Sequence, residues 1–164
     1  MLKFIVGIAI VAFSSFCGYK LAGKYRRKKQ FFKQFSAFND RFLEELSYSR
    51  RPLGEIFSKS MYTGEFQLLL CEFISYLKSD DKNFLLVINE NPFSFLSEDE
   101  KVEISDYFLA LGKGDSQAQK GYFLSIKGRI DARRSEAEEK CKRYVDLYVK
   151  LGFLCGLFIL ILII

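Results

Sequence analysis

The sequence closes on "LGFLCGLFILILII", Leu151 to Ile164, without one polar side chain, and near its start runs from Phe4 to Tyr19, "FIVGIAIVAFSSFCGY", without a charge. Two apolar ends around a charged middle constrain this fold more than any average does. The mean hydropathy of +0.03 results from their cancellation. Extended to Met1 and Ala22, the first run gives about 33 Å of helix, enough for a hydrocarbon core of about 30 Å. The closing run alone gives about 21 Å, and about 30 Å when counted from Val145. That extension takes in Asp146 and Lys150. Lys150 can carry its charge to the headgroups along an apolar stem, and Asp146 is expected just outside. A cleaved signal peptide fits poorly, because no A-x-A-like site follows and the basic cluster comes after the apolar run. Phe16 stands before Cys17 where lipoprotein processing wants a small residue. The expectation is a transmembrane helix at 1–23, a middle domain at 24–146 and a second transmembrane helix at 147–164.

Charge sets the orientation. "KLAGKYRRKKQFFK", Lys20 to Lys33, holds seven Lys/Arg and no acid, whereas Gln34 to Asp146 holds 16 basic and 20 acidic residues. A cationic collar just after the first span places the middle in the cytoplasm and both termini outside it. "YRRKKQ" is read as a topology signal and an anchor to anionic membrane lipids. With the positive charge beside the membrane and a mildly acidic middle, a nucleic-acid footprint is not expected. Within the closing run, Gly152-x-x-x-Gly156 has the small-xxx-small spacing that lets membrane helices approach closely. A contact within the chain and a contact between chains both remain open.

The middle reads as all-α, a helical bundle. Phe31, Phe35, Phe38, Phe42 and Leu46 recur at spacings of four and three, one helix face. Pro52 suits the first turn of a short helix. Phe66, Leu69, Leu70, Phe73 and Leu77 give another stripe. "NFLLVINENPF" is ambiguous between strand and helix; lacking a partner strand, it is taken as a short helix. Ser97 and Glu100 have capping-box spacing ahead of Ile104, Tyr107, Phe108 and Leu111. Gly112 suits a helix stop and Asp115 the cap of the next helix. From Ser116 onward, Phe123, Ile126, Ile130, Ala137, Cys141, Tyr144, Tyr148, Leu151 and Cys155 step by three, four or seven with no proline. One helix is therefore expected from there into the membrane.

Little here resembles catalytic or cofactor chemistry. The chain has no histidine, which removes the commonest general base and metal ligand. Cys17, Cys71, Cys141 and Cys155 show no C-x-x-C spacing and read as reduced, structural thiols. "GKGD" lacks the spacing of a phosphate loop and follows a helix. The pairs Glu44/Glu45 and Glu138/Glu139 are adjacent along a helix and do not face one another. No enzyme, metal site or cofactor is expected. The mixed-charge run "RIDARRSEAEEKCKR" reads as a solvated or helix-packing face.

In that order of elements the chain resembles the stage III sporulation protein AB family. Arg27, Gln30 and Phe31 match its Arg-x-x-Gln-hydrophobic step after the first anchor, and Glu45, Leu46, Tyr48, Pro52 and Leu53 match its Glu-hydrophobic-x-Tyr-x-x-x-Pro-Leu step. Leu111, Gly112, Asp115 and Gln119 fall on its Leu-Gly-x-Ser-Asp-x-x-x-Gln turn, with Gly114 in place of the serine. Leu151, Gly152 and Gly156 match its closing Leu-Gly and later Gly. Residues 58–103 carry little of the likeness. The resemblance implies a structural part of a secretion-like channel complex joining mother cell and forespore, in the mother-cell membrane. The family's soluble part is similar to the helical cytoplasmic domains of type II secretion and type IV pilus inner-membrane platforms. Expected partners are the other membrane components of the complex and a cytoplasmic secretion-type ATPase. Arg133, Arg134, Glu138 and Glu139 are the candidate partner surface, with helix packing as their alternative role. Apart from the resemblance, the same residues fit a membrane-tethered scaffold or regulator unrelated to secretion. A pore is disfavoured, since the ends offer only Ser14, Ser15 and Tyr19 to line one.

Overall fold

The structure is a computed structural model that describes residues 2–48, 61–78, 84–89, 92–111, 113 and 116–163. Every regular element among them is an α-helix: α1 (Leu2–Leu21), α2 (Gly23–Tyr48), α3 (Gly64–Lys78), α4 (Phe84–Asn89), α5 (Glu98–Ala110) and α6 (Ser116–Ile163). The ambiguous "FLLVIN" segment is thus the helix α4. The expected short helix at Pro52 lies outside the described residues. The contacts divide the chain into two units. One, here called the body, is Gln30–Arg134; the other, the hairpin, joins Met1–Lys29 to Ser135–Ile164. Both α2 and α6 contribute residues to each.

The body is built on aromatic rings. Phe31, Phe35, Phe38 and Phe42 of α2 are at most 2% exposed, as a stripe spaced by four and three requires. Their rings reach three other helices. Phe38 meets Phe66 of α3 at 5.7 Å, Phe35 meets Tyr107 of α5 at 4.8 Å, and Phe42 meets Phe123 of α6 at 4.8 Å. Phe73 of α3 lies 5.0 Å from Phe108 and 5.1 Å from Phe84, which ties α4 to the same core. Edge-on and tilted pairs dominate, the arrangement that the ring quadrupole favours. In α3 the stripe is cut short: Phe66, Leu69, Leu70 and Phe73 are buried, but Leu77 is 61% exposed. The helix ends at Lys78, so its last turn carries Leu77 past the buried face.

At the start of α5 the Glu100 carboxylate accepts the Ser97 backbone N–H at 2.8 Å, the reciprocal arm of the capping pattern. The helix ends at Ala110, with Leu111 extended at φ −62° and its N–H donated to the Phe108 carbonyl. Gly112 and Asp115 lie outside the described residues. α6 runs unbroken for 48 residues from Ser116. Its Phe123, Ile126 and Ile130 are buried in the body, and Ala137 and Cys141 in the hairpin unit. The stripe predicted for its far end does not stay buried, because Leu151 is 53% exposed. α6 is long and apolar enough to cross a membrane.

In the hairpin, α1 runs antiparallel to the end of α6. Gly18 faces Tyr148, Ser14 faces Gly152, Val11 faces Gly156 and Gly7 faces Leu160. α1 passes into α2 with no loop: the Ala22 N–H donates to the Gly18 carbonyl at 3.2 Å, and the Tyr25 and Arg26 N–H groups donate to the Ala22 carbonyl. The first bond keeps the helical i→i−4 pattern, so the basic collar is helical from its first residue.

Candidate functional site

The seam between α1 and α6 is the most sharply specified feature of the hairpin. A Cβ added to Gly152 would stand 2.7 Å from the Ser14 carbonyl oxygen, and one added to Gly156 would stand 2.8 Å from Val11 Cα. Both are shorter than a side-chain carbon can tolerate. These two glycines therefore meet a helix of their own chain, and the contact they favour is intramolecular. α1 answers in kind: a Cβ on Gly18 would collide with the Tyr148 carbonyl, and one on Gly7 with the Leu160 side chain. Ser14 Oγ donates to the Gly152 carbonyl at 2.7 Å, placing one interhelical hydrogen bond at the closest approach. The α1 half went unrecognised in the sequence, although Gly7, Val11, Ser14 and Gly18 are spaced four, three and four and so share one face.

The collar next to this seam is aromatic as well as basic. Tyr25 stacks on Tyr144 with ring centroids 4.5 Å apart, and Tyr148 lies 6.3 Å from Tyr25. The Arg26 guanidinium lies 3.5 Å from the Tyr19 ring centroid and donates to the Tyr19 carbonyl at 2.8 Å. Lys150 and Asp146 form an ion pair at 2.7 Å one turn from each other on α6. Pairing lowers the cost of carrying both near an apolar segment. Of the residues carrying the family resemblance, Arg27 and Gln30 are exposed and Glu45 is half-buried. The Tyr48 side chain and Pro52 and Leu53 lie outside the described residues.

Gln119 has a defined part. It is 8% exposed, and its side-chain amide donates to the Lys113 carbonyl at 3.1 Å, tying the first turn of α6 back to the connection that precedes it. An amide at that position holds the α5–α6 turn by its backbone. The four cysteines are free, Cys141 buried and the others more exposed.

In the body, polar ties join α2 to its neighbours. Ser36 Oγ donates to Asp131 at 2.8 Å, and the Tyr107 hydroxyl donates to Asn39 Oδ1 at 3.1 Å inside the core. Lys127 pairs with Asp40. That hydrogen bond raises the Lys127 pKa above its ordinary value, against a smaller opposing effect of burial. Burial pushes the Tyr107 phenol well above the usual tyrosine range.

Between α5 and α6 lies a cleft of about 430 Å³, floored by Phe35, Tyr107, Ile126 and Ile130. Glu103 of α5 binds Arg133 across it at 3.1 Å, with Arg129 at 4.0 Å. Arg133, a sequence candidate for partner binding, is thus engaged in packing α6 on α5. Arg134 and Glu139 are exposed and Glu138 is half-buried. Arg133 and Arg134 belong to the body, Glu138 and Glu139 to the hairpin unit. Sequence reading passed over Glu103; its position three residues after Glu100, on the face of α5 that carries Asp99 and Asp106, was the available signal.

Among family models, that of stage III sporulation protein AB matches residues 3–164. No curated protein and no solved structure matches the chain.

Proposed function

This chain belongs to the stage III sporulation protein AB family, and from that premise we propose that it is a membrane platform in a channel complex between mother cell and forespore, on which a cytoplasmic secretion-type ATPase docks. Membership implies a role in stage III of sporulation. The observation that best supports a platform is the shared use of α2 and α6. The same two helices supply the ring-packed body and the glycine-seamed hairpin. A protein that transmits force or fixes position between a membrane and a soluble partner needs continuous elements of this kind, and it needs no reacting group. We assign it no enzymatic activity. α1 is placed in the bilayer beside α6, with the body in the mother-cell cytoplasm, both termini outside it, and the basic collar against anionic headgroups.

Deletion of the gene should block sporulation after engulfment begins and leave vegetative growth intact; a normal spore yield would refute the role. Crosslinked co-purification from sporulating cells should bring down the secretion-type ATPase and other membrane components of the complex. Reporter fusions at Ser58 and after Ile164 should report cytoplasmic and external locations respectively, and a cytoplasmic carboxyl terminus would rule out the two-span topology.

A further inference from the structure

The glycine seam fixes the register of α1 against α6, and with it the depth of each charge in the hairpin. Gly156 faces Val11, Gly152 faces Ser14 and Tyr148 faces Gly18. Lys150, midway between Tyr148 and Gly152, therefore stands level with Phe16. Two cations from the other side of the hairpin reach the same depth. Lys20 Nζ lies over the Phe16 ring, 5.6 Å from its centroid. Arg26 passes back over Gly23, whose Cβ position is 4.0 Å from its Nη2, and rests 3.5 Å from the Tyr19 ring centroid. Its Nη2 donates to the Tyr19 carbonyl, two turns nearer the start of the chain.

Helix geometry explains these directions. Side chains lean toward the N-terminus of their own helix. With α1 and α2 running into the cytoplasm, that lean carries Lys20 and Arg26 back toward the bilayer. α6 runs the other way, so Lys150 leans outward onto Asp146. Lys150 is thus neutralised within its helix, whereas Lys20 and Arg26 have no carboxylate partner among the described residues. A contact with a ring face leaves an ammonium or guanidinium its charge and its remaining N–H donors. The acceptors that such a depth offers are the phosphate oxygens of lipid headgroups. Tyr19, 48% exposed, suits the same boundary, where tyrosines collect.

The charge-free band this leaves is short. Lys3 bounds it at the far end of α1, and Phe4 to Tyr19 carries no charge. The rise from Lys3 is about 20 Å to Phe16 and about 24 Å to Tyr19, against a typical hydrocarbon core of about 30 Å. Tilting the hairpin would only shorten its reach across the membrane. Because Gly18, Gly152 and Gly156 meet backbone atoms directly, α1 cannot slide along α6 to lengthen the band.

We propose that the hairpin is fitted to a thin bilayer: headgroup phosphates bind Lys20 and Arg26 at the depth of Phe16 to Tyr19, and the cytoplasmic leaflet is drawn inward around it. The proposal rests on the reading that puts α1 in the bilayer beside α6; the thickness rests on the register and on the two cations.

The chain has no tryptophan, so Ala12→Trp, at an exposed position on α1, gives the hairpin a single reporter. The full chain carrying it is placed in nanodiscs of phosphatidylcholine and phosphatidylglycerol whose monounsaturated chains have fourteen, eighteen or twenty-two carbons. Quenching by lipids brominated in their chains reads whether α1 is in the bilayer, and melting followed at the same tryptophan reads hairpin stability. Quenching should be strong, with the melting temperature highest for fourteen-carbon chains and lower by about 5 °C or more for twenty-two. Adding Lys20→Leu/Arg26→Leu should move the optimum to eighteen carbons or longer. A melting temperature that ignores chain length, or peaks at eighteen or twenty-two carbons without those two substitutions, overturns the thickness proposal. So does an optimum that stays at fourteen carbons with them. In each of these cases strong quenching leaves the two-span reading standing. A tryptophan that no brominated lipid quenches overturns both.

Discussion

In the body, Phe38, Phe42, Phe66 and Phe108 are wholly buried and touch through ring faces and edges. In the hairpin, Gly18, Gly152 and Gly156 bring backbone against backbone, and large side chains such as Phe13, Leu154 and Phe158 point outward. The difference follows from the surroundings each packing suits. In water, a buried ring is removed from an unfavourable solvent and contributes roughly 25 cal/mol per Å² of apolar surface. A helix as apolar as the end of α6 gains little by trading hydrocarbon for protein, so its contacts must come from close fit and interhelical hydrogen bonds. The body should thus be sensitive to lost volume and the hairpin to added volume.

Phe38→Ala should produce the largest change, about 3–5 kcal/mol of body stability. Its ring meets α3 and α5 together, so no single neighbour can relax into the space. Denaturant titration of the full chain, followed by tyrosine signals from Tyr107, should show the loss, while a disulfide engineered across α1 and α6 still forms. Loss of that crosslink as well would show the two units to be one cooperative system.

Gly156→Val should cost the hairpin about 1–3 kcal/mol by overpacking, because Val11 Cα stands where the first added carbon must go. Phe158→Ala, a larger change in volume at a side chain 65% exposed, should cost much less. Thermal melting in nanodiscs checks the order. If the truncation hurts more than the insertion, the hairpin packs by side-chain volume and the contrast with the body fails.

Asn39→Ala tests the buried polar tie and should cost about 1–2 kcal/mol, since it leaves the Tyr107 hydroxyl without its acceptor in the core. Tyr107→Phe leaves the buried Asn39 Oδ1 without its donor but keeps the ring and truncates no packed side chain, so it should cost less. Equal losses would mean that the hydrogen bond, and not the cavity, carries the effect.

Helix faces in the body were legible because each follows from a local period: Phe31, Phe35, Phe38 and Phe42 lie on one side of α2 wherever its neighbours are. The all-helical class and the long uninterrupted α6 were legible for the same reason. Gly152 and Gly156 could be picked out as packing residues, but spacing alone did not say which helix they meet. That depended on Val11 and Ser14, about 140 residues away in sequence. Long-range polar pairs such as Ser36–Asp131 and Glu103–Arg133 were hidden for a related reason, because either partner alone is an ordinary surface residue.

The smallest effect concerns the titrating tie between α2 and α6, and it separates the units by pH. In the hairpin the pairs Lys140–Glu136 and Lys150–Asp146 each stay within one helix, while in the body Lys127 and Asp40 join two. Both of these side chains are about two-fifths exposed, so solvent screening limits the pair to about 0.5 kcal/mol. Because the Lys127 pKa is raised in the folded chain, its contribution is fully present below the unfolded lysine value of about 10.4. It disappears as pH rises through the folded value. Tyr107 acts in the same direction: buried, it keeps its proton while the unfolded phenol ionises from about pH 10, so alkali favours unfolding. Asp40→Asn should therefore lower body stability by about 0.5 kcal/mol at pH 8, with the gap closing as Lys127 loses its proton. Tyr107→Phe should flatten the remaining alkaline decline. A gap between wild type and Asp40→Asn that is constant from pH 8 to strong alkali would show that Asp40 acts through packing, not through the charge on Lys127.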